Sequence, residues 1–66
     1  MHQIAILNYA TCKIEIIDIS SETWQKFAED LDLLVYDIWG YKRTEIYYMY
    51  GENGIEVTHL HENELM

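Results

Sequence analysis

The residues best suited to chemistry lie at the end of the chain, in the stretch EVTHLHENELM. HENEL resembles the start of an HExxH zinc-protease helix, in which two histidines one turn apart hold the metal and the glutamate acts as base. Leu65 stands where the second histidine belongs. His59 and His61 form an HxH pair, which on a strand would supply two of the three or four donors that zinc needs. We predict no metal site and no cofactor; the two histidines are candidates only if another part of the chain or a second subunit adds a donor.

The other reactive side chains lack the partners that catalysis needs. Cys12 lies beside Lys13, and a neighbouring cation can activate a thiol, but nucleophilic catalysis also needs a positioned base and oxyanion donors. The carboxylates Glu29, Asp30 and Asp32 lie off the apolar stripe of a predicted helix, as a solvated face would. These patterns predict that the protein is not an enzyme.

Composition and charge narrow the class of protein. Half of the 66 residues are hydrophobic, which favours one globular domain over residues 1–66, and the single cysteine excludes an internal disulfide. The formal charge of −8 opposes binding to phosphate backbones and to anionic membranes, and it suits a basic protein partner. With no apolar run of about 20 residues and no basic leader at the N-terminus, we expect a cytoplasmic location without membrane contact.

Two patterns describe the first two thirds of the chain. QIAILNY and KIEIIDIS are rich in β-branched residues and predict a hairpin of strands at about 3–9 and 13–19. A helix is predicted at about 21–39, because a 3.6-residue period places apolar side chains on one stripe. Ser20 or Ser21 is expected to cap its start and Gly40 to close it in the left-handed conformation. The stripe contains Trp24, Phe27, Ala28, Leu31, Leu34, Val35 and Ile38, with Trp39 at its margin.

The last third predicts a second hairpin around Asn53-Gly54, a favoured type I′ pair because both central positions require positive φ. In that register Tyr48 faces His59, and Ile46 faces His61. The resulting fold class is α+β with the order ββαββ, in which one amphipathic helix packs on one face of a four-stranded antiparallel or mixed sheet.

One helix covers only one face of a sheet, so apolar side chains on the other face are candidates for an interface. Leu7, Tyr9 or Ile17 could extend this face, and tyrosine is enriched at protein interfaces. We therefore predict self-association as a homodimer, formed through that face or through a strand edge. The predicted interaction residues are Tyr47, Met49, Leu60, Leu33 and Tyr36.

The hydrophobic strands around NYAT, followed by an amphipathic helix and a tyrosine-rich end, resemble a loose group of small acidic proteins of unknown function from human gut bacteria, often found near mobile elements. The resemblance covers mainly the first 20 residues. It implies a bacterial accessory protein and supplies neither an activity nor a site.

Three functional hypotheses follow. The first is a non-enzymatic module for protein interaction or self-association. The second is an acidic inhibitor that mimics nucleic acid and blocks a DNA-binding protein or nuclease, with Glu22, Glu29, Asp30, Asp32, Asp37 and carboxylates of the strands forming one continuous acidic strip. The third is a small metal-binding protein that uses His59 and His61.

Overall fold

The computed structural model describes residues 1–65, and its centre is a three-stranded antiparallel sheet. The strands are β1 (His2–Asn8), β2 (Lys13–Ile19) and β3 (Ile46–Gly51), arranged in the order β2-β1-β3. The helical segments are α1 (Ser21–Phe27), a π-helix (Leu33–Ile38) and a 3₁₀ turn (Glu62–Glu64).

The first hairpin forms as the two runs of β-branched residues predict. Ile4 lies opposite Ile17 and Ile6 opposite Glu15, so β1 and β2 pair along their whole length. Asn8 stabilises the connection, because its side-chain oxygen accepts hydrogen bonds from the backbone N–H groups of Ala10 and Thr11, both at 3.1 Å.

The prediction of one continuous helix over 21–39 is wrong. Ser20 caps α1 as expected, accepting a hydrogen bond from the Thr23 N–H at 3.2 Å, but α1 ends at Phe27. Asp30 then accepts a hydrogen bond from the Leu33 N–H at 3.1 Å. This side chain caps a second helical segment and replaces the hydrogen bonds that would have continued the first one.

The second segment is wound as a π-helix, which changes the residues that face the sheet. The Trp39 N–H bonds to the carbonyl of Leu34, five residues earlier, at 2.9 Å. Trp39 therefore packs against the core, whereas Ile38, which the 3.6-residue period assigned to the core, is 60% exposed. Gly40, with φ of 80°, ends the segment in the left-handed conformation, as predicted.

The second hairpin does not form, so the predicted four-stranded sheet is wrong. β3 pairs with β1, with Tyr48 opposite Ile6 and Ile46 opposite Asn8. A type I′ turn needs positive φ at both central residues, and only Gly54 of the Asn53-Gly54 pair has it. Residues 55–61 form no strand, and neither His59 nor His61 has the partner that the sequence predicted.

The start of this last segment is fixed by two local features. A Cβ atom at Gly51 would lie 2.6 Å from both the Gly54 carbonyl oxygen and Cγ1 of Ile55, so the close turn requires glycine. The Ile55 N–H donates a 2.7 Å hydrogen bond to the side-chain oxygen of Gln3. These contacts direct the chain back across the end of the sheet instead of along the free edge of β3.

The core lies between the sheet and the helical segments. Its buried side chains come from all three strands and the π-helix, with α1 adding Trp24 and Phe27 from the side. Burial of this single layer is the main stabilising contribution. The buried cluster consists of Ile4, Ile6, Ile19, Leu34, Val35 and Ile46.

Candidate interaction surface

The face of the sheet that points away from the helices, called the open face below, is apolar over most of its area. Strand pairing places its side chains in two rows, because neighbouring residues on paired strands share a face. One row is Ile14, Leu7 and Tyr47, and the other is Ile16, Ala5 and Met49.

Five of these six side chains are accessible to solvent. Their exposed fractions are 68% for Ile14, 43% for Leu7, 71% for Tyr47, 38% for Ile16 and 53% for Met49. Ala5 is buried at 3%, because its methyl group lies low between its larger neighbours. The apolar residues are contiguous across three strands, whereas exposed apolar residues on a protein surface are usually scattered singly.

The two ends of the open face differ in character. At one end, the Tyr9 ring packs edge-on against Tyr47, with ring centroids 5.6 Å apart. At the other, Gln3 donates a 2.7 Å hydrogen bond to the Asp18 carboxylate. The polar pair Gln3 and Asp18 therefore bounds the apolar area at the end of the sheet where Ile55 bonds to Gln3.

The structure brings together only some of the residues that the sequence singled out for interaction. Tyr47 and Met49 lie on the open face, joined by Leu7 and Tyr9, as proposed from the strand pattern. Ile17 does not, since it faces the helices and packs against the core. Ile14 and Ile16 were not predicted to belong to this surface. Because Ile16 and Ile17 are adjacent, both faces of β2 are apolar and the sequence does not show which face is open.

Leu60, Leu33 and Tyr36 lie elsewhere in the structure. Leu60 is 50% exposed in the segment after the sheet, and Leu33 is 39% exposed on the π-helix. Tyr36 is half-buried against the core, and the Arg43 guanidinium lies over its ring at 4.1 Å from the centroid. Leu33 and Tyr36, which belong to the π-helix, do not extend the rows of the open face.

A polar cluster on the helical side surrounds Tyr36. The Tyr48 hydroxyl donates a hydrogen bond to Asp32, and Arg43 lies 3.6 Å from the other oxygen of the same carboxylate. Burial, followed by the hydrogen bond and the charge of Asp32, raises the pKa of Tyr48 to about 12. The hydroxyl therefore stays protonated at neutral pH, which suits a structural donor and not a catalytic base.

A second aromatic group closes the core beside α1. The Trp24 ring stacks on both His2 and Tyr50, with centroid distances of 4.6 and 4.5 Å, and the His2 and Tyr50 rings lie 5.8 Å apart. Nδ1 of His2 lies 2.6 Å from the Tyr50 hydroxyl. All three rings are used in packing, so we assign this cluster a structural role.

The candidate metal residues do not form a cluster. His59 and His61 are exposed, with parallel rings 6.2 Å apart. Among residues 1–65, no group of three or more histidine, cysteine or acidic side chains is placed to hold a metal ion. Two imidazoles alone fall short of the donor set of a stable zinc site.

A groove lies at the outer edge of β2, on the helical side of the sheet. It has a volume of about 520 Å³ and is lined by Ile17, Ile19, Thr23, Trp39 and Tyr41, together with Asp18 and Ser20. The Tyr41 hydroxyl donates a 3.3 Å hydrogen bond to the Glu15 carboxylate next to the groove. Burial and the neighbouring negative charge of Glu15 raise the pKa of Tyr41.

The five carboxylates of the predicted strip that precede β3 and lie outside the strands are all exposed, and all of them lie on or next to the helical segments. They therefore come from the layer that covers one face of the sheet, not from the open face. In the part of the chain that is described, no helix is long and apolar enough to cross a membrane. The carboxylates in question are Glu22, Glu29, Asp30, Asp32 and Asp37.

No protein-family model matches the chain, and neither a curated protein nor a solved structure shows significant similarity to it. The class that the geometry defines is a small α+β protein with one covered and one uncovered sheet face.

Proposed function

We propose that this protein is a non-enzymatic interaction module that self-associates by packing its open face against the open face of a second copy. The observation that carries the proposal is the uninterrupted apolar surface formed by Ile14, Ile16, Leu7, Tyr47 and Met49 on three neighbouring strands. Two sheets packed in this way form a sandwich, in which the side chains of the two inner faces interdigitate.

A second copy is a suitable partner because burial of both open faces can release enough free energy to offset the cost of association. The exposed parts of the five side chains amount to about two to three fully exposed large apolar residues. Burying them contributes about 4–8 kcal/mol per copy, taking ~1.5–3 kcal/mol for each. For two copies the gain is about 8–16 kcal/mol, which can offset the roughly 4–15 kcal/mol that association costs, so we expect a weak, reversible dimer.

Sedimentation velocity across concentration tests the proposal. The expected result is a shift of the sedimentation coefficient from monomer to dimer between about 5 and about 500 µM. Amide chemical shifts recorded over the same range should change at residues of the open face, such as Leu7, Ile16 and Met49. A strict monomer at about 500 µM, with no concentration-dependent shifts, would refute self-association.

A further inference from the structure

A second surface, the outer edge of β2, has features of a peptide-binding site. Within residues 1–65, β2 pairs with β1 on one side and with no strand on the other. Such an edge presents unpaired backbone donors and acceptors, to which an extended peptide can add as a further strand. The groove beside Ile17 and Ile19 runs along the same edge, so a side chain of an added strand would have a partly apolar pocket to enter.

The charges on β2 specify the partner. Glu15 and Asp18 are three residues apart, and the strand register places Glu15 on the helical side and Asp18 on the open face. One oxygen of Glu15 accepts from Tyr41, and one oxygen of Asp18 accepts from Gln3. The second oxygen of each carboxylate can receive a cation from a neighbouring strand, where opposite charges attract across the pair.

We propose that the β2 edge binds an extended basic peptide segment by strand addition, with two lysine or arginine side chains three residues apart lying opposite Glu15 and Asp18. The apolar residue that faces Ile17 enters the groove, where the half-buried rings of Trp39 and Tyr41 form the wall. The pattern is therefore basic–apolar–apolar–basic. This site goes beyond the proposed self-association, since it uses the edge of the sheet and not its open face.

The spacing of the charges provides a sharp test. Two synthetic nine-residue peptides of identical composition are titrated into ¹⁵N-labelled protein, one with its two lysines three residues apart and one with them two apart. In the second peptide both lysines lie on the same side of the strand, so only one can meet its carboxylate. We expect saturable shifts of the β2 amides and of the Trp39 indole N–H, with at least about fivefold tighter binding of the first peptide.

Three controls make the result decisive. Replacing Glu15→Gln and Asp18→Asn together should remove the preference between the peptides, whereas the same charge change at Glu62→Gln and Glu64→Gln should not. N-methylation of the peptide backbone should abolish binding, because strand addition needs its N–H donors. The Met49→Lys variant should bind the peptide as the wild type does, even if it no longer dimerises.

Equal affinity for the two peptides would overturn the inference. So would shifts that fall on β3 or on the open face and spare β2, or loss of peptide binding in the Met49→Lys variant. The dimer has its own test in the sedimentation experiment, so failure of one proposal can be told apart from failure of the other.

Discussion

Replacement of Met49 by lysine tests the open face most directly. Met49 is 53% exposed and lies next to buried Ala5, at the β3 end of one apolar row. Complete burial of a methionine side chain contributes about 1.5–3 kcal/mol, so burial of its exposed half contributes about 1–1.5 kcal/mol. In a symmetric dimer the loss occurs twice, about 2–3 kcal/mol in total, before the cost of desolvating two ammonium groups is added.

We therefore expect Met49→Lys to raise the dissociation constant at least about 30-fold, since 1.4 kcal/mol corresponds to a factor of ten. Sedimentation velocity on both proteins measures this change. The matched control is Val57→Lys, which alters an exposed apolar residue in the segment after the sheet. Both variants reduce the net negative charge equally, so general repulsion between copies is weakened to the same extent in each.

The direction of the effect separates the two possible causes. If the charge of the whole chain governed association, either lysine would tighten the dimer. If the open face governs it, Met49→Lys weakens the dimer while Val57→Lys leaves it unchanged or slightly tighter. Equal behaviour of the two variants would refute the assignment of the contact to the open face.

Three further predictions concern the fold and are tested at concentrations where the protein is monomeric. Ile46→Val should lower the free energy of unfolding by about 1 kcal/mol and Tm by about 4–8 °C, whereas Ile14→Val, the same change at an exposed site, should cost less than about 0.5 kcal/mol; equal losses in chemical denaturation would contradict the assigned core. Asp30→Ala should cost about 1 kcal/mol in the same assay through loss of the cap on the second helical segment, and an unchanged midpoint would refute that role. Because the pKa of Tyr48 is raised to about 12 from 10.0, its protonated form stabilises the fold fully below pH 10, and this contribution is lost as pH rises through 12. Ultraviolet titration should show one tyrosine fewer near pH 12 in the Tyr48→Phe variant. The Asp32→Asn variant should move the titration of Tyr48 toward pH 10. If the titration of Tyr48 is the same in Asp32→Asn as in the wild type, the hydrogen bond between Tyr48 and Asp32 is excluded.

Local signals predicted those parts of the fold that depend on neighbours in sequence. Runs rich in β-branched residues predicted the first hairpin, Ser20 was one of two expected caps, and Gly40 ends the helical region with the φ that its position requires. Each of these features is decided within a few residues, by period, by a hydroxyl acceptor or by the absence of a Cβ atom.

The remaining features depend on competition that the sequence pattern does not display. The apolar stripe over 21–39 fits one helix, yet Asp30 offers its own oxygen to the Leu33 N–H and divides the segment in two. Asn53-Gly54 is a strong hairpin signal, yet the N–H of Ile55 donates its hydrogen bond to the side chain of Gln3, which is 52 residues away in the sequence. A long-range side-chain contact of this kind leaves no periodic trace in the sequence.

Only part of the candidate surface could be predicted, because its other members depend on how distant parts of the chain pair. Side chains of a strand alternate between its two faces, so a strand at β3 is sufficient to place Tyr47 and Met49 on the same side. The members from β2 required the pairing register, because Ile16 and Ile17 are adjacent and either could have faced the core. Leu60 was assigned to this face through the second hairpin, which does not form, so the pairing register no longer supports that assignment.

The distribution of charge explains how two copies can associate although each carries a net charge of −8. The five carboxylates of the predicted acidic strip lie on or beside the helical segments, on the side opposite the open face. Packing open face to open face places the two helical layers on the outside, so these charges stay hydrated and are separated by the thickness of both sheets. Two sheets are about 10 Å apart in such a sandwich, and the Debye length at 0.1 M salt is also about 10 Å, so repulsion between the outer layers is largely screened. The apolar contact can therefore form despite a charge of −8 on each copy, and lowering the salt concentration should weaken it.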